Sequence, residues 1–560
     1  MPFPSLPALL AACAALAALP AAAQDQIIPK PVEISVAADG GPVVLDMTTR
    51  LGFDSAFLTP ADKADKAAAR YVVRYLRAGT GLPLNTAKPG ALSGSSIVFR
   101  HDSSLAVHGS EAYAVKAGTA QDGKASRIEI RAASPKALYP AVHSLAQMLP
   151  PAFFDPKADK TKTAWKLADR PFSLLDYPRF GWRSLMIDEA RYFFGMETIK
   201  AILDQMALLK LNVLHWHLTD DVGWRIEIKK YPRLTTIGGK RRNTEIETWK
   251  SGKYSGKPHE GFYTQKQLRE IVAYAAERGI MIVPEIDVPG HSAALCASYP
   301  ELRLTLKQPK EVPICFGQNT ALDPTNEKVY AVLSDILDEV IAVFPSPYIH
   351  MGGDEVRHKE CWQGEPAIDA FMKKHGYKNL NEVQIHFTNR LSRMLASKGR
   401  RMMGWNEILG HDVHGDGGGK ADSGSLASNT VVNYWYGHAA PTVQALRRGH
   451  PVVNSSSAFT YMTNYGKVSL RKAYSFNPDF PDLTEKERAR QLGMGCHAWT
   501  EWVPDPAQLY YQLYPRVVAH AETAWSPKEA KDYGDFLRRL SCFRKILDIW
   551  NIPYAAEEIK

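Results

Sequence analysis

Apolar residues follow two regimes along this chain. From residue 183 onward, short runs rich in β-branched and aromatic residues alternate with longer segments whose apolar positions recur at helical spacing. The strand candidates are residues 184–188, 212–217, 281–287, 348–351, 401–405, 431–436, 452–455 and 496–499. Between them, residues 329–344 align Leu333, Ile336, Leu337, Val340, Ile341 and Phe344 in one stripe, and 379–398 reads as another helix. Eight strand-helix repeats predict an α/β fold closed as a (β/α)8 TIM barrel. Residues 238–261 and the Gly, Asp and Ser-rich residues 411–429 interrupt the pattern and are expected as rim loops.

Ahead of this region lies a smaller unit. Arg127-Ile128-Glu129-Ile130 alternates like a strand, residues 137–148 have helical periodicity, and Pro150, Pro151 and the Lys/Asp-rich residues 155–166 read as a linker. The expected organisation is a leader over 1–23, a small α/β domain over 24–169, and a catalytic barrel with a C-terminal helix over 170–560.

Composition narrows the class. The chain has 560 residues, 45% apolar and 23% charged, as a soluble globular protein does, and no apolar run reaches the roughly 20 residues of a membrane span. Residues 1–23 hold no charged side chain and end Ala21-Ala22-Ala23, the pattern of an export signal, so export to a periplasmic or secreted destination is expected. Leu10-Ala11-Ala12-Cys13 also resembles a lipoprotein cleavage box that would leave Cys13 lipidated. Of the five later cysteines, Cys296 and Cys315 bracket a Pro and Lys-rich segment and are the candidate disulfide. No cysteine spacing suggests zinc. The net charge of +9 is scattered apart from Lys240-Arg241-Arg242, which fits attraction to anionic glycans and supports no nucleic-acid motif.

Chemistry collects where the expected strands end, the edge that builds the active site of a TIM barrel. These positions offer Arg183, Asp188-Glu189, His215-Trp216-His217, Asp220-Asp221, Glu285-Ile286-Asp287, His291, Asp354-Glu355, Trp405-Asn406-Glu407, Tyr434-Trp435-Tyr436, Tyr461 and Trp499-Thr500-Glu501-Trp502. Aromatic faces stack on pyranose rings and charged groups bind hydroxyls, so the set suggests a sugar site. Asp354 and Glu355 are adjacent, and they can share a pocket only if the backbone bends, which Gly352 and Gly353 permit.

In this order, Ile28-Pro29-Lys30-Pro31, Pro178-Arg179-Phe180 through Arg191, residues 215–225, Pro284-Glu285-Ile286-Asp287, Pro289-Gly290-His291, residues 350–356, Gly404-Trp405-Asn406-Glu407, Trp499-Thr500-Glu501 and Tyr514-Pro515-Arg516 resemble the exo-acting β-N-acetylhexosaminidases of glycoside hydrolase family 20. The resemblance covers nearly all of the chain after its leader. It implies retaining hydrolysis of terminal β-linked N-acetylglucosamine or N-acetylgalactosamine, from glycans or chitooligosaccharides, with no cofactor. The substrate's acetamido oxygen would serve as nucleophile. It assigns Glu355 as proton carrier, Asp354 as the anion steering the acetamide, and Tyr461 as donor to the acetamido oxygen. Trp405, Trp435 and Trp499 become pocket walls, Arg183, Asp220 and Glu501 bind outer hydroxyls, and His291 and Glu285 give support. Asp221 competes with Asp220. The family's aspartate two residues after the tyrosine is replaced by Thr463, followed by Asn464, with Tyr465 near an expected tryptophan, which leaves glucose-type against galactose-type selectivity open.

Other residues read as structural: Trp216 and Trp224 as packing, Arg225 as the partner of an acid, Glu189 and Glu407 as supports, His217 as either a barrel histidine or a site residue. Two other functions compete. His215 and His217 share a strand face and could bind a metal with His291 and an aspartate, or the barrel could bind carbohydrate without turning it over.

Overall fold

The computed structural model describes residues 26–58, 63–119, 125–304, 309–318, 320–411, 426–463 and 468–559. The leader, Cys13, Asn464 and Tyr465 lie outside them. Among the described residues, eight parallel strands close a barrel: Trp182–Asp188, Val213–His217, Met281–Glu285, Tyr348–His350, Arg401–Trp405, Thr430–Tyr434, Val452–Asn454 and Gln491–Ala498. The last pairs with the first through Trp182↔Gly493 to Ile187↔Ala498. All eight were expected, because strands buried on both faces carry near-continuous apolar runs that turn residues punctuate. The expected helices are Glu327–Val343 and Leu380–Ser397.

The preceding domain is a seven-stranded mixed sheet covered by the helices Lys63–Thr80 and Leu138–Met148. Its limits differ from the expected ones. Trp165–Ala168 lies in the expected linker and at its end, yet pairs with Val43–Leu45, and Phe172–Asp176 inserts between Glu33–Val36 and Tyr113–Thr119 in the main sheet. The first unit therefore extends past residue 169. These strands find their partners more than 50 residues away, a pairing that local periodicity does not report.

The barrel mouth holding the N-terminal strand ends rests on this domain. There Lys210 Nζ meets Asp176 Oδ2 at 2.7 Å with both side chains fully buried, and Asp176 also accepts from Tyr113 Oη at 2.6 Å and Trp525 Nε1 at 2.8 Å. The C-terminal helix Tyr533–Ile549 joins the same assembly, Arg539 donating to the Ile27 carbonyl and to Glu522. Cys296 and Cys315 form no disulfide: Cys296 is fully buried in the helix Ala293–Ser298, facing core rather than the rim segment that carries Cys315. No helix among the described residues is long and apolar enough to cross a membrane.

Candidate active site

The fourth barrel strand, Tyr348–His350, runs directly into the carboxylate pair. Gly352 and Gly353 take φ of 63° and 92°, and Glu355 follows at 49°, so the chain turns through three left-handed residues. A Cβ at Gly352 would stand 1.6 Å from Asp287 Oδ1, which leaves room for glycine alone. The bend is held from outside. Gln384 donates to the Gly353 carbonyl at 2.7 Å, and His358 Nε2 lies 2.9 Å from Gln384 Oε1.

This turn aims both acids into one environment. Asp354 Oδ2 and Glu355 Oε2 each lie 3.7 Å from His291 Nε2. Asp354 is buried, and among the described residues no group donates to its Oδ1. Burial raises its pKa, the charges of Glu285 and Glu355 add to this, and His291 opposes them. Burial acts against a charged His291, yet Asp220, Asp221 and Asp354 raise its pKa well above the usual imidazole range.

Across the pocket, Asp220 Oδ2 receives Arg191 Nη2 at 2.9 Å and lies 3.0 Å from His217 Nε2. Burial opposes ionisation of Asp220, but Arg191 and His291 hold its pKa well below the carboxylate range. Asp221 instead accepts the Ala293 amide at 3.0 Å, so of the two neighbours Asp220 is the one joined to Arg191. Glu501 Oε1 lies 3.9 Å from Arg191, while its buried Oε2 has no hydrogen-bond partner among the described residues. Burial brings the Glu501 pKa up to about 7 against the pull of Arg191.

Aromatic rings wall the space. Trp405, Trp499 and Met186 form a cluster joined by Trp435 and Tyr461. Trp435 stacks on Tyr461 at 5.6 Å and 9°, and the Trp405 ring lies 5.9 Å from that of Trp499. The walls are tied down by buried acids, Trp405 Nε1 donating to Glu285 at 2.9 Å and Trp435 Nε1 to Glu407 at 2.8 Å. Trp499 Nε1 is buried without a partner among the described residues. Together with Asp354 Oδ1 and Glu501 Oε2 it forms a set of polar atoms whose desolvation a bound ligand or water can offset.

Nine of the ten expected site residues thus come together: Glu355, Asp354, Tyr461, Asp220, His291, Trp405, Trp435, Trp499 and Glu501. Arg183 does not. It is the second residue of its strand, at the opposite barrel mouth, where it donates to Glu111 of the preceding domain at 2.9 and 2.7 Å and to the Lys210 carbonyl at 2.8 Å. The arginine of the site is Arg191, just beyond the other end of that strand and 4.9 Å over the Trp499 ring. We expect Arg191→Met to raise KM by about tenfold or more, as loss of charged hydrogen bonds to a ligand does, whereas Arg183→Met lowers the melting temperature and leaves KM near wild type. Steady-state kinetics and thermal unfolding on both variants separate the two.

Several supports also differ from expectation in detail. Among the described residues Arg225 pairs with no acid, and it donates to the carbonyls of Glu189, Ala190, Gly239 and Gly261, knitting the rim loops. Glu189 receives Trp216 Nε1 and the Tyr263 hydroxyl, and Trp224 Nε1 bonds the Ile226 carbonyl. His217 uses both ring nitrogens on carboxylates, at 2.6 Å to Glu285 and 3.0 Å to Asp220, linking them. His215 faces Glu285 at 2.8 Å. Among the described residues, the donor sets compact enough to hold an ion are His215/Glu285/His350, His217/Glu285/Asp287, Asp220/Asp221/His291 and Asp287/His291/Asp354. The expected combination of His215, His217 and His291 is not among these sets, since His291 sits with Asp220, Asp221 and Asp354.

With this geometry in place, comparison with known proteins is decisive for the family. Residues 180–528 match the glycosyl hydrolase family 20 catalytic domain, and residues 24–167 match domain 2 of the same family. The chain belongs to glycosyl hydrolase family 20. It is 37% identical over 369 residues to a beta-hexosaminidase of Vibrio furnissii, covering 63% of this chain and 58% of that protein. A beta-hexosaminidase of Porphyromonas gingivalis is 35% identical over 68% of this chain, which spans only about half, 47%, of that relative. A beta-N-acetylhexosaminidase of Cellulomonas fimi is 31% identical over 92% of both chains. Among solved structures, the exo beta-N-acetylglucosaminidase of Vibrio harveyi in complex with N-acetylglucosamine superposes with a TM-score of 0.77 at 29% identity, covering 95% of this chain and 78% of that one.

Proposed function

We propose that this member of family 20 hydrolyses terminal, non-reducing β-linked N-acetylglucosamine or N-acetylgalactosamine with retention, using the substrate's acetamide as nucleophile. The observation that carries the reading is the buried Asp354 Oδ1, without a hydrogen-bond partner among the described residues, beside Glu355 and walls of indole and phenol. A buried acceptor of this kind suits an amide N–H. The acetamido oxygen forms a bond to C1 as the C1–O bond breaks, its electron pair passing to the leaving oxygen, which takes the proton of Glu355. The Glu355 carboxylate then accepts a proton from water as water attacks C1 and opens the oxazolinium ring. Asp354 orients the N–H and balances the developing positive charge. In this reading Tyr461 donates to the acetamido oxygen, Trp405, Trp435 and Trp499 enclose the ring, and Arg191, Asp220 and Glu501 hold its outer hydroxyls.

The test compares p-nitrophenyl β-N-acetylglucosaminide with the β-glucoside that lacks the acetamide. Turnover of the first alone, with strong inhibition by a thiazoline mimic of the oxazoline, supports the mechanism; equal turnover of both overturns it. We expect kcat/KM to rise with pH through about 7 as Glu501 ionises into a better hydroxyl acceptor. Glu501→Gln should remove that step from the pH profile. Export, with periplasmic or secreted location, is proposed from residues 1–23, and chitooligosaccharides are proposed as one source of substrate. Fractionation and a chitobiose assay check these.

A further inference from the structure

We infer that Arg357 recognises a carboxylate on the leaving group, so that the preferred substrates are β-linked N-acetylhexosamines whose aglycone is acidic. The inference rests on the function proposed above. Arg357 Nη2 lies 3.4 Å from Glu355 Oε2, with the two side chains 30% and 27% exposed. Glu355 must deliver its proton to the departing oxygen, so a group in contact with that carboxyl from the solvent side stands where the aglycone departs. His291, a second cation beside Glu355 among the described residues, is 8% exposed and enclosed by Asp220, Asp221 and Asp354. Arg357 is the one of the two that an incoming molecule can reach.

Its position poses a chemical problem. A guanidinium in contact with Glu355 Oε2 occupies the carboxyl that must reach the leaving oxygen. The conflict is removed if the arriving substrate supplies another anion for the arginine. A carboxylate on the aglycone has the same planar geometry as the Glu355 carboxyl and can replace it on the guanidinium fork. Arg357 would then bind substrate and release the acid in one exchange. A neutral aglycone leaves the arginine on Glu355. The bracing of Gly353 by Gln384 fixes the turn from which both side chains project, so the exchange needs only side-chain movement. The excess of positive charge, +9, also favours encounter with acidic glycans.

The experiment uses two disaccharides with terminal β-linked N-acetylglucosamine, one whose leaving sugar carries a carboxylate and the same compound with that group converted to a carboxamide. For the wild-type chain at low salt, kcat/KM is expected to favour the carboxylate by about tenfold, the scale of one charged hydrogen bond. The ratio should fall toward one in Arg357→Gln and stay partly elevated in Arg357→Lys. Because it is a ratio within each variant, it does not depend on how much enzyme folds. A wild-type ratio of one or less, or an unchanged ratio in Arg357→Gln, overturns the inference while the glycosidase reading stands. Cleavage of neither compound, nor of the p-nitrophenyl substrate, overturns both.

Discussion

Glu355→Gln is expected to lower kcat/KM by about two to four orders of magnitude on disaccharides, the range that a positioned general acid contributes. The loss should be smaller on p-nitrophenyl glycosides, whose leaving oxygen is a weak base and needs little protonation. Asp354→Asn should fail differently. It keeps the side-chain shape but removes the negative charge opposite the acetamide, so kcat falls on both substrate types and affinity for the thiazoline falls with it. The contrast between leaving-group dependence in one variant and independence in the other distinguishes proton donor from steering anion. Full activity of Glu355→Gln on a disaccharide would remove the assigned acid.

The second large effect concerns stability. Lys210→Met should destabilise the protein by about 3–5 kcal/mol, because it strands the Asp176 carboxylate where water cannot reach it. Asp176 would keep the Tyr113 and Trp525 donors but lose the only cation in contact with it among the described residues, at the seam between the preceding sheet and the barrel. Replacing both partners, Lys210→Met with Asp176→Leu, should cost less than the sum of the single changes, since no charge is left buried. Denaturant titration of the four proteins measures the coupling. Additive single effects would mean that the pair does not hold the two domains together.

Much of the site was legible before any coordinates. The eight barrel strands lie within a few residues of their expected limits, since a buried parallel strand cannot avoid an apolar run and its end is marked by polar or glycine residues. The distinction between Arg183 and Arg191 was also present in the sequence. Residue 183 precedes its expected strand and 191 follows it, and in a parallel barrel only the carboxyl ends face the site. By contrast, nothing local marks Phe172–Asp176 as part of the first sheet, or tells Asp220 from Asp221.

The sequence by itself determined the alternation of strands and helices, the order of the family motifs and the glycine bend that lets adjacent acids turn together. Only closure of the barrel decided which charges meet. Asp220, His291, Asp354 and Glu501 come from four separate loops, and Arg191 reaches two of them within 4 Å. Whether a carboxyl is ionised, steering or waiting for a ligand depends on burial and on partners at that scale. Those distances belong to the folded chain, and sequence separation carries no measure of them.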